Sequence, residues 1–378
     1  MKKLSFLFAM VFAVSMAMGQ TAVVNQTTAA GLSATQDANV TQTGNSLVKI
    51  TQVTNKELSH VATAEQSGGN NNTIIVSQTN EASNGSGINK TAAKQAGYNN
   101  VIKQTQTSVN YSYAGMEFIA SQIGNGNNAV QESGKENADF DIFQNGTGND
   151  ALQRAIGVKT GVLEGDIKQI GNFNKGTQLF HGQQVRNDGG VIDQNGTSNT
   201  AKQEFDVNGS IWWDNGSNSP NSRANIVQRS NNNYAYQSQV GQGSYQNAVQ
   251  TGSTNEIRMW SNGNYNEAYS KQDGNNGDIR INQKQENMGP ATESSFDGNH
   301  TMVSQNGNGS SANIMQNGLR NEVGGLGETG TFAINNGGAN LIINQTGSDN
   351  AVWSRQLVGA SETVTQTGAN NTAIVNQY

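Results

Sequence analysis

The 378-residue chain has no cysteine, two prolines, and aromatic side chains at only 6% of its positions. Without cysteine there is no disulfide framework, so stability must come from backbone pairing and side-chain stacking. Proline lacks the amide that a sheet ladder needs, and Pro220 and Pro290 stand alone, which points to a backbone committed to hydrogen-bonded strands. With 33% hydrophobic residues, a conventional oily core is out of reach. Basic patches are missing as well, which argues against nucleic acid as a partner. Beyond the first twenty residues no apolar run is long enough to enter a bilayer.

What the chain does have is a period. The pattern Gln-x-Gly-x-x-Asn-x-(Ala/Ile/Val) starts at Gln95, Gln122, Gln144, Gln194, Gln250, Gln316, Gln345 and Gln366. Around it a phase marker returns every eleven residues, most regularly through Gln228, Gln239, Gln250, Ser261, Gln272 and Gln283. A polar composition of this kind also suits a disordered tract. The strict phase of the polar residues argues instead for short stacked units.

One unit runs from Gln366 to Gln377. Thr367 to Asn370 contain the Gly and Asn that tolerate positive φ and read as a turn. From there Asn371, Ala373, Val375 and Gln377 alternate with Thr372, Ile374 and Asn376, which puts the first set on one face of a strand. The same inward set recurs as Asn255, Ile257, Met259 and Ser261, and as Asn266, Ala268, Ser270 and Gln272. Eleven is odd, but facing resets at each turn, so two units make a strand-turn-strand rung of about 22 residues. The expected fold is therefore all-β: a β-solenoid with parallel sheets, rungs ~4.8 Å apart, and Gln and Asn ladders inside. Buried amides are tolerable only if they recur in register, since each unpartnered one costs ~1–3 kcal/mol.

The candidate ladder residues are Gln95, Asn100, Gln106, Gln122, Asn127, Gln144, Asn149, Gln194, Asn199, Gln228, Gln239, Gln250, Asn255, Gln272, Gln283, Gln305, Gln316, Asn321, Gln345, Asn350, Gln356, Gln366, Asn371 and Gln377. The candidate turn glycines are Gly97, Gly124, Gly146, Gly196, Gly252, Gly318, Gly347 and Gly368. Lys2 and Lys3, the apolar run Leu4 to Met18, and Ala17-Met18-Gly19 read as a signal peptide over 1–19, too short for a transmembrane anchor. Its removal leaves 20 basic against 28 acidic residues, a formal charge of −8. Residues 20–378 read as a single solenoid with loop insertions near 107–121, 154–168, 204–227 and 286–300.

The motif resembles the repeat of the curlin family, Ser-x5-Gln-x-Gly-x-Gly-Asn-x-Ala-x3-Gln. The nearest copies are Gln122, Gly124, Gly126, Asn127, Ala129 and Gln144, Gly146, Gly148, Asn149, Ala151, although Ser133 and Ala155 stand where the last glutamine belongs. Gln366, Gly368, Asn371, Ala373 and Gln377 keep that glutamine but carry Asn370 for the second glycine. The resemblance implies a secreted subunit of curli-like extracellular amyloid fibres in a Gram-negative biofilm matrix. It implies passage unfolded through an outer-membrane secretion pore, accessory chaperones, a nucleator at the cell surface, and the chain itself as main partner. The chain departs from the family in having many more rungs and irregular insertions, which leaves a nucleator role open.

No catalytic constellation stands out, and no cofactor or metal site is expected. His60, His181 and His300 lie far apart and read as solvated surface residues. Asp273 to Asp278 lacks the terminal glutamate of a calcium loop and coincides with the repeat's own turn. Neither Thr21 to Gln26 nor Gln377-Tyr378 offers a helical or charged cover, so end-to-end growth is the expectation. The alternative is a monomeric, surface-attached adhesin, with Trp212-Trp213 as its binding element. An ice-binding solenoid ranks last because the threonines are scattered rather than arrayed.

Overall fold

Strand Glu256–Asn262 buries Ile257, Met259 and Ser261 and turns Glu256, Arg258, Trp260 and Asn262 outward. The same alternation holds in strand after strand, as a chain with alternate small or amide side chains requires when one sheet face is closed off from water. In the computed structural model, residues 20–29, 35–55, 59–80, 88–108, 115–134, 138–156, 163–182, 189–207, 222–241, 243–285, 298–325 and 333–377 are described. The leader read at 1–19, Trp212, Trp213, Pro220 and Pro290 lie outside them. The packing divides the chain into two compact units, residues 1–187 and 188–378. Each is an all-β parallel solenoid, and no helix occurs among the described residues.

In the first unit one sheet holds, in order, Thr21–Thr28, Leu47–Thr54, Thr73–Asn80, Val101–Ser108, Asn128–Ser133, Asp150–Ile156 and Lys175–Gly182. The second holds Gln36–Gln42, Ser59–Ser67, Ile88–Tyr98, Glu117–Asn125, Ala138–Thr147 and Leu163–Asn172. The chain alternates between the sheets, so each rung is strand, corner, strand, and every strand pairs in parallel with its counterpart one rung on. The two inner faces meet in one thin interior, where aliphatic columns such as Val48, Ile74 and Ile102 lie beside columns of amides.

In the second unit one sheet runs Thr200–Val207, Tyr234–Val240, Glu256–Asn262, Asp278–Lys284, Ser311–Leu319, Asn340–Ser348 and Ser361–Ala369. Its partner runs Gly189–Thr197, Arg223–Arg229, Tyr245–Thr251, Glu267–Asp273 and His300–Asn306. It then continues through the short strands Glu322–Gly324 and Ala333–Asn336, which share one level, to Ala351–Arg355 and Thr372–Asn376.

Rung length is less uniform than the expected 22 residues. Stacked glutamines are 22 residues apart at Gln122 and Gln144, but 26 at Gln52 and Gln78 and 33 at Gln272 and Gln305. In the first unit, stretches between strands such as 81–87 and 109–114 are outside the described residues, and the described links 43–46 and 68–72 are longer than the two-residue link 126–127. Strands reach into the ranges read as insertions: Glu117–Asn125, Leu163–Asn172, Thr200–Val207 and Arg223–Arg229 all contribute rungs there. The corner at Thr367 to Asn370 is tighter than a four-residue turn. Strand Ser361–Ala369 stays paired with Asn340–Ser348 through Ala369, bending at Gly368 (φ 105°) and closing at Asn370 (φ 58°).

Candidate functional site

The repeat motif builds a corner and a ladder together. In the second sheet of the first unit, Gln42, Gln66, Gln95, Gln122, Gln144 and Gln169 stack, each amide nitrogen donating to the next carbonyl oxygen at 2.7–3.0 Å. The other hydrogen of each amide is spent on the opposite sheet, as in Gln122 to the Val101 carbonyl at 2.9 Å and Gln144 to that of Asn128 at 2.9 Å. Both donors and the acceptor of a fully buried amide are thereby satisfied, which removes the penalty of burying it.

Five residues on, the asparagines form a second column. Asn72, Asn100, Asn127, Asn149 and Asn174 are buried, and the Oδ1 of each accepts the backbone N–H of the next at 3.0–3.1 Å. Their Nδ2 groups donate to the glycine carbonyl one rung on: Asn72 to Gly97, Asn100 to Gly124 and Asn127 to Gly146. At Gly124, φ is 112° and a Cβ would overlap the Gly146 carbonyl oxygen, so the motif's glycine is demanded twice, by conformation and by the rung above it.

The second unit repeats the scheme. Gln194, Gln228, Gln250, Gln272 and Gln305 stack at 2.8–3.0 Å in one sheet, and Gln283, Gln316, Gln345 and Gln366 at 3.0–3.1 Å in the other. Asn199, Asn233 and Asn255 line one corner, and Asn266, Asn299, Asn321, Asn350 and Asn371 the other. Gly196, Gly252, Gly318, Gly347 and Gly368 hold the corresponding bends at positive φ. Four predicted ladder residues behave differently. Gln106 accepts from Gln78 and ends that column, while Gln239, Gln356 and Gln377 donate to backbone carbonyls only.

A ladder that the eleven-residue phase did not select runs two positions away. Gln104, Gln131, Gln153 and Gln178 stack at 2.8–3.0 Å, and Gln203 and Gln237 form the same kind of pair in the second unit at 3.0 Å. The first run starts on the strand where the Gln26, Gln52, Gln78, Gln106 column stops: Ser133 and Ala155 continue that old column, while Gln104 and Gln131 donate across the interior to the Phe118 and Phe140 carbonyls. The signal was present as Gln-x-Gln at 104–106 and as glutamines 22 residues apart at 131 and 153.

Charge sits mostly on the outer faces, where one group of carboxylates stacks, while His60 and Glu362 are buried. Asp139 is the cross-strand partner of both Glu117 and Glu164, and Asp141 that of Asp166. Partial burial, then the neighbouring carboxylates Asp139, Asp166 and Glu117, push Asp141 up to about 6, and Asp139 and Asp166 are raised for like reasons. His60 was expected in solvent but lies in the interior, 0% exposed, with Nε2 3.3 Å from the Val53 carbonyl and Nδ1 without a partner. Its position follows from the strand period, an even number of residues before Ala62, Ala64 and Gln66, and burial pushes it down to about 4. His300 is outward, between Glu267 at 3.6 Å and Glu322 at 3.9 Å, and His181 is half-buried.

Among the described residues, no group of three or more His, Asp or Glu side chains gathers to hold a metal ion, and no helix is long and apolar enough to cross a membrane. The assembled geometry is thus a set of polar columns that end at strand edges. Thr21–Thr28 and Ser361–Ala369 are each paired on one side only among the described residues. No protein-family model matches the chain, and no curated protein matches it either.

Proposed function

We propose that the chain is a secreted structural subunit of curli-like extracellular fibres that grows by stacking one copy on the next. The observation that carries this reading is the shared direction of the ladders. Every stacked glutamine donates toward the higher-numbered rung, from Gln26 to Gln52 and from Gln345 to Gln366 alike. One edge therefore presents the Gln26 and Gln42 side-chain oxygens (Oε1) without a described donor. The other presents Gln366, whose amide nitrogen donates only to the Ala351 carbonyl. Together with two one-sided parallel strands, this makes the edges complementary, so a second copy's Thr21–Thr28 can continue the sheet and the amide column at Ser361–Ala369.

On this reading the partners are further copies of the chain, a nucleator, an outer-membrane pore and accessory chaperones, and the location is the surface of a Gram-negative cell. No catalytic step is assigned. The test is assembly of purified residues 20–378. Thioflavin-positive fibres with a meridional reflection near ~4.8 Å are expected. A persistent monomer at high concentration would overturn the proposal.

A further inference from the structure

Glu362 is the one carboxylate buried among the described residues, at 4% exposure. It lies on the edge strand Ser361–Ala369, in a column that runs through Ala201, Ala235, Ile257, Ile279, Ala312 and Leu341. Ser354 donates to its Oε2 at 2.7 Å, and its Oε1 has no partner. The groups facing it are Leu341 on the paired strand, Val364 on its own strand, and Ser354 and Gln356 across the interior. None is a cation or a second acid, and Arg355, the charged residue of Ala351–Arg355, is exposed. Burial raises the Glu362 pKa, and the Ser354 hydrogen bond and the nearby Gln356 amide offset part of the rise.

Resting on the stacking proposed above, we infer that Glu362 is an acid-operated gate on the addition of a second copy. Continuing the Gln366 column with the incoming Gln26 sets Ala22 against Glu362, four residues back on each strand. Thr21–Thr28 has no charged residue to offer, so docking removes the remaining water from the carboxylate and supplies no counter-ion. The ionised form must take up a proton for the interior to close over it. Addition is fast where Glu362 is protonated and slow where it is charged. The penalty is tenfold in the docking equilibrium for each unit by which closure raises the pKa.

Seeded elongation of residues 20–378 between pH 7.5 and 4.5 tests the gate, with E362Q, E362L and E164Q compared to the natural sequence. E164Q removes the same charge from an exposed outer face of the first unit and controls for overall repulsion. The expected result is that the natural chain and E164Q speed up about tenfold or more on acidification. E362Q and E362L should elongate at neutral pH at the acidic rate of the natural chain. E362L guards against a folding defect in E362Q, because leucine already fills this column at Leu341. Fibres from all four proteins with the same pH profile would overturn the gate and leave stacking intact. No fibres from any of them at any pH would overturn stacking, and the gate with it.

Discussion

The Phe180 ring stacks on Phe140 with 5.6 Å between centroids, although the two side chains come from opposite sheets. Phe118 and Phe140 stack in one column of the second sheet at 5.2 Å, and the next residue of that column is Gly165. Phe180 reaches the Phe140 ring from the other sheet, while a Cβ on Gly165 would meet the Gln178 Oε1 at 2.9 Å and the Gln153 Nε2 and the Phe140 ring at 3.1 Å. The ring stack thus passes from one sheet to the other at the rung where its column has no side chain.

This exchange predicts that Phe180→Ala destabilises the first unit by about 3–5 kcal/mol, the range for emptying a buried phenylalanine site. The double variant Phe180→Ala with Gly165→Phe should be no more stable than Phe180→Ala, because a side chain at 165 meets the stacked Gln153 and Gln178 amides. Urea midpoints of the three proteins check it. A double variant that recovered most of the loss would show that the ladder amides yield to a ring at 165.

Gln122 lies in the middle of a ladder, and Gln122→Leu keeps its bulk while stranding three groups. The Gln95 amide loses its acceptor, and the Gln144 oxygen and the Val101 carbonyl lose their donors. The expected cost is about 2–5 kcal/mol, whereas Ser121→Ala on the outward side should stay within about 0.5 kcal/mol. Denaturant unfolding separates them, and near-equal effects would mean that the ladder contributes little.

The solenoid, its parallel sheets and its amide interior were legible in the sequence because Gln, Gly and Asn recur at fixed offsets that only in-register stacking satisfies. Gln104, Gln131, Gln153 and Gln178 were harder to see. They keep a ladder while leaving the eleven-residue phase, and the shift shows only once Ser133 and Ala155 are seen to occupy the older column. His60 was misread for the opposite reason: its type suggested solvent, while its even spacing from Gln66 already placed it inside. Glu362 likewise occupies an inward position that its charge disguises.

At Gly124 and Gly126 the same substitution should give different costs. Both have positive φ, but a Cβ at Gly124 would strike the Gly146 carbonyl, whereas nothing lies within 4 Å of one at Gly126. Gly126→Ala should cost about 1 kcal/mol from backbone conformation alone. Gly124→Ala should cost more than twice that, because two rungs must separate. Thermal unfolding of both variants tests this.

Two groups of the first unit should respond to pH in opposite senses. The Asp141 pKa is raised from 3.8 to about 6, so the stability linked to its protonated form is present below pH 4 and lost as pH rises through 6. The His60 pKa is depressed from 6.5 to about 4, so the stability linked to its neutral ring is present above pH 6.5 and lost as pH falls toward 4. Asp141 is exposed, and Asp141→Asn should gain only about 0.5 kcal/mol at pH 7. His60→Gln should remove an acid-side loss of about 2–3 kcal/mol. Hydrogen exchange in Ser59–Ser67 and Ala138–Thr147, followed from pH 7.5 to 4, should show the two trends in separate strands.

Ile257 and Thr254 are three residues apart and answer the question of facing most directly. Ile257 is 0% exposed between Ala235 and Ile279, whereas Thr254 is exposed at a corner with φ 62°. Ile257→Asp would place an unpaired carboxylate among aliphatic side chains and should cost at least about 3 kcal/mol or abolish folding of the second unit. Thr254→Asp replaces a β-branched residue with one that tolerates the left-handed region and leaves its charge in water, so a change within about 0.5 kcal/mol is expected. Circular dichroism and urea midpoints at neutral pH distinguish them. If Thr254→Asp proved as damaging as Ile257→Asp, the strand would not present Ile257 to the interior, and the columns on either side of it would have to be re-registered by one residue.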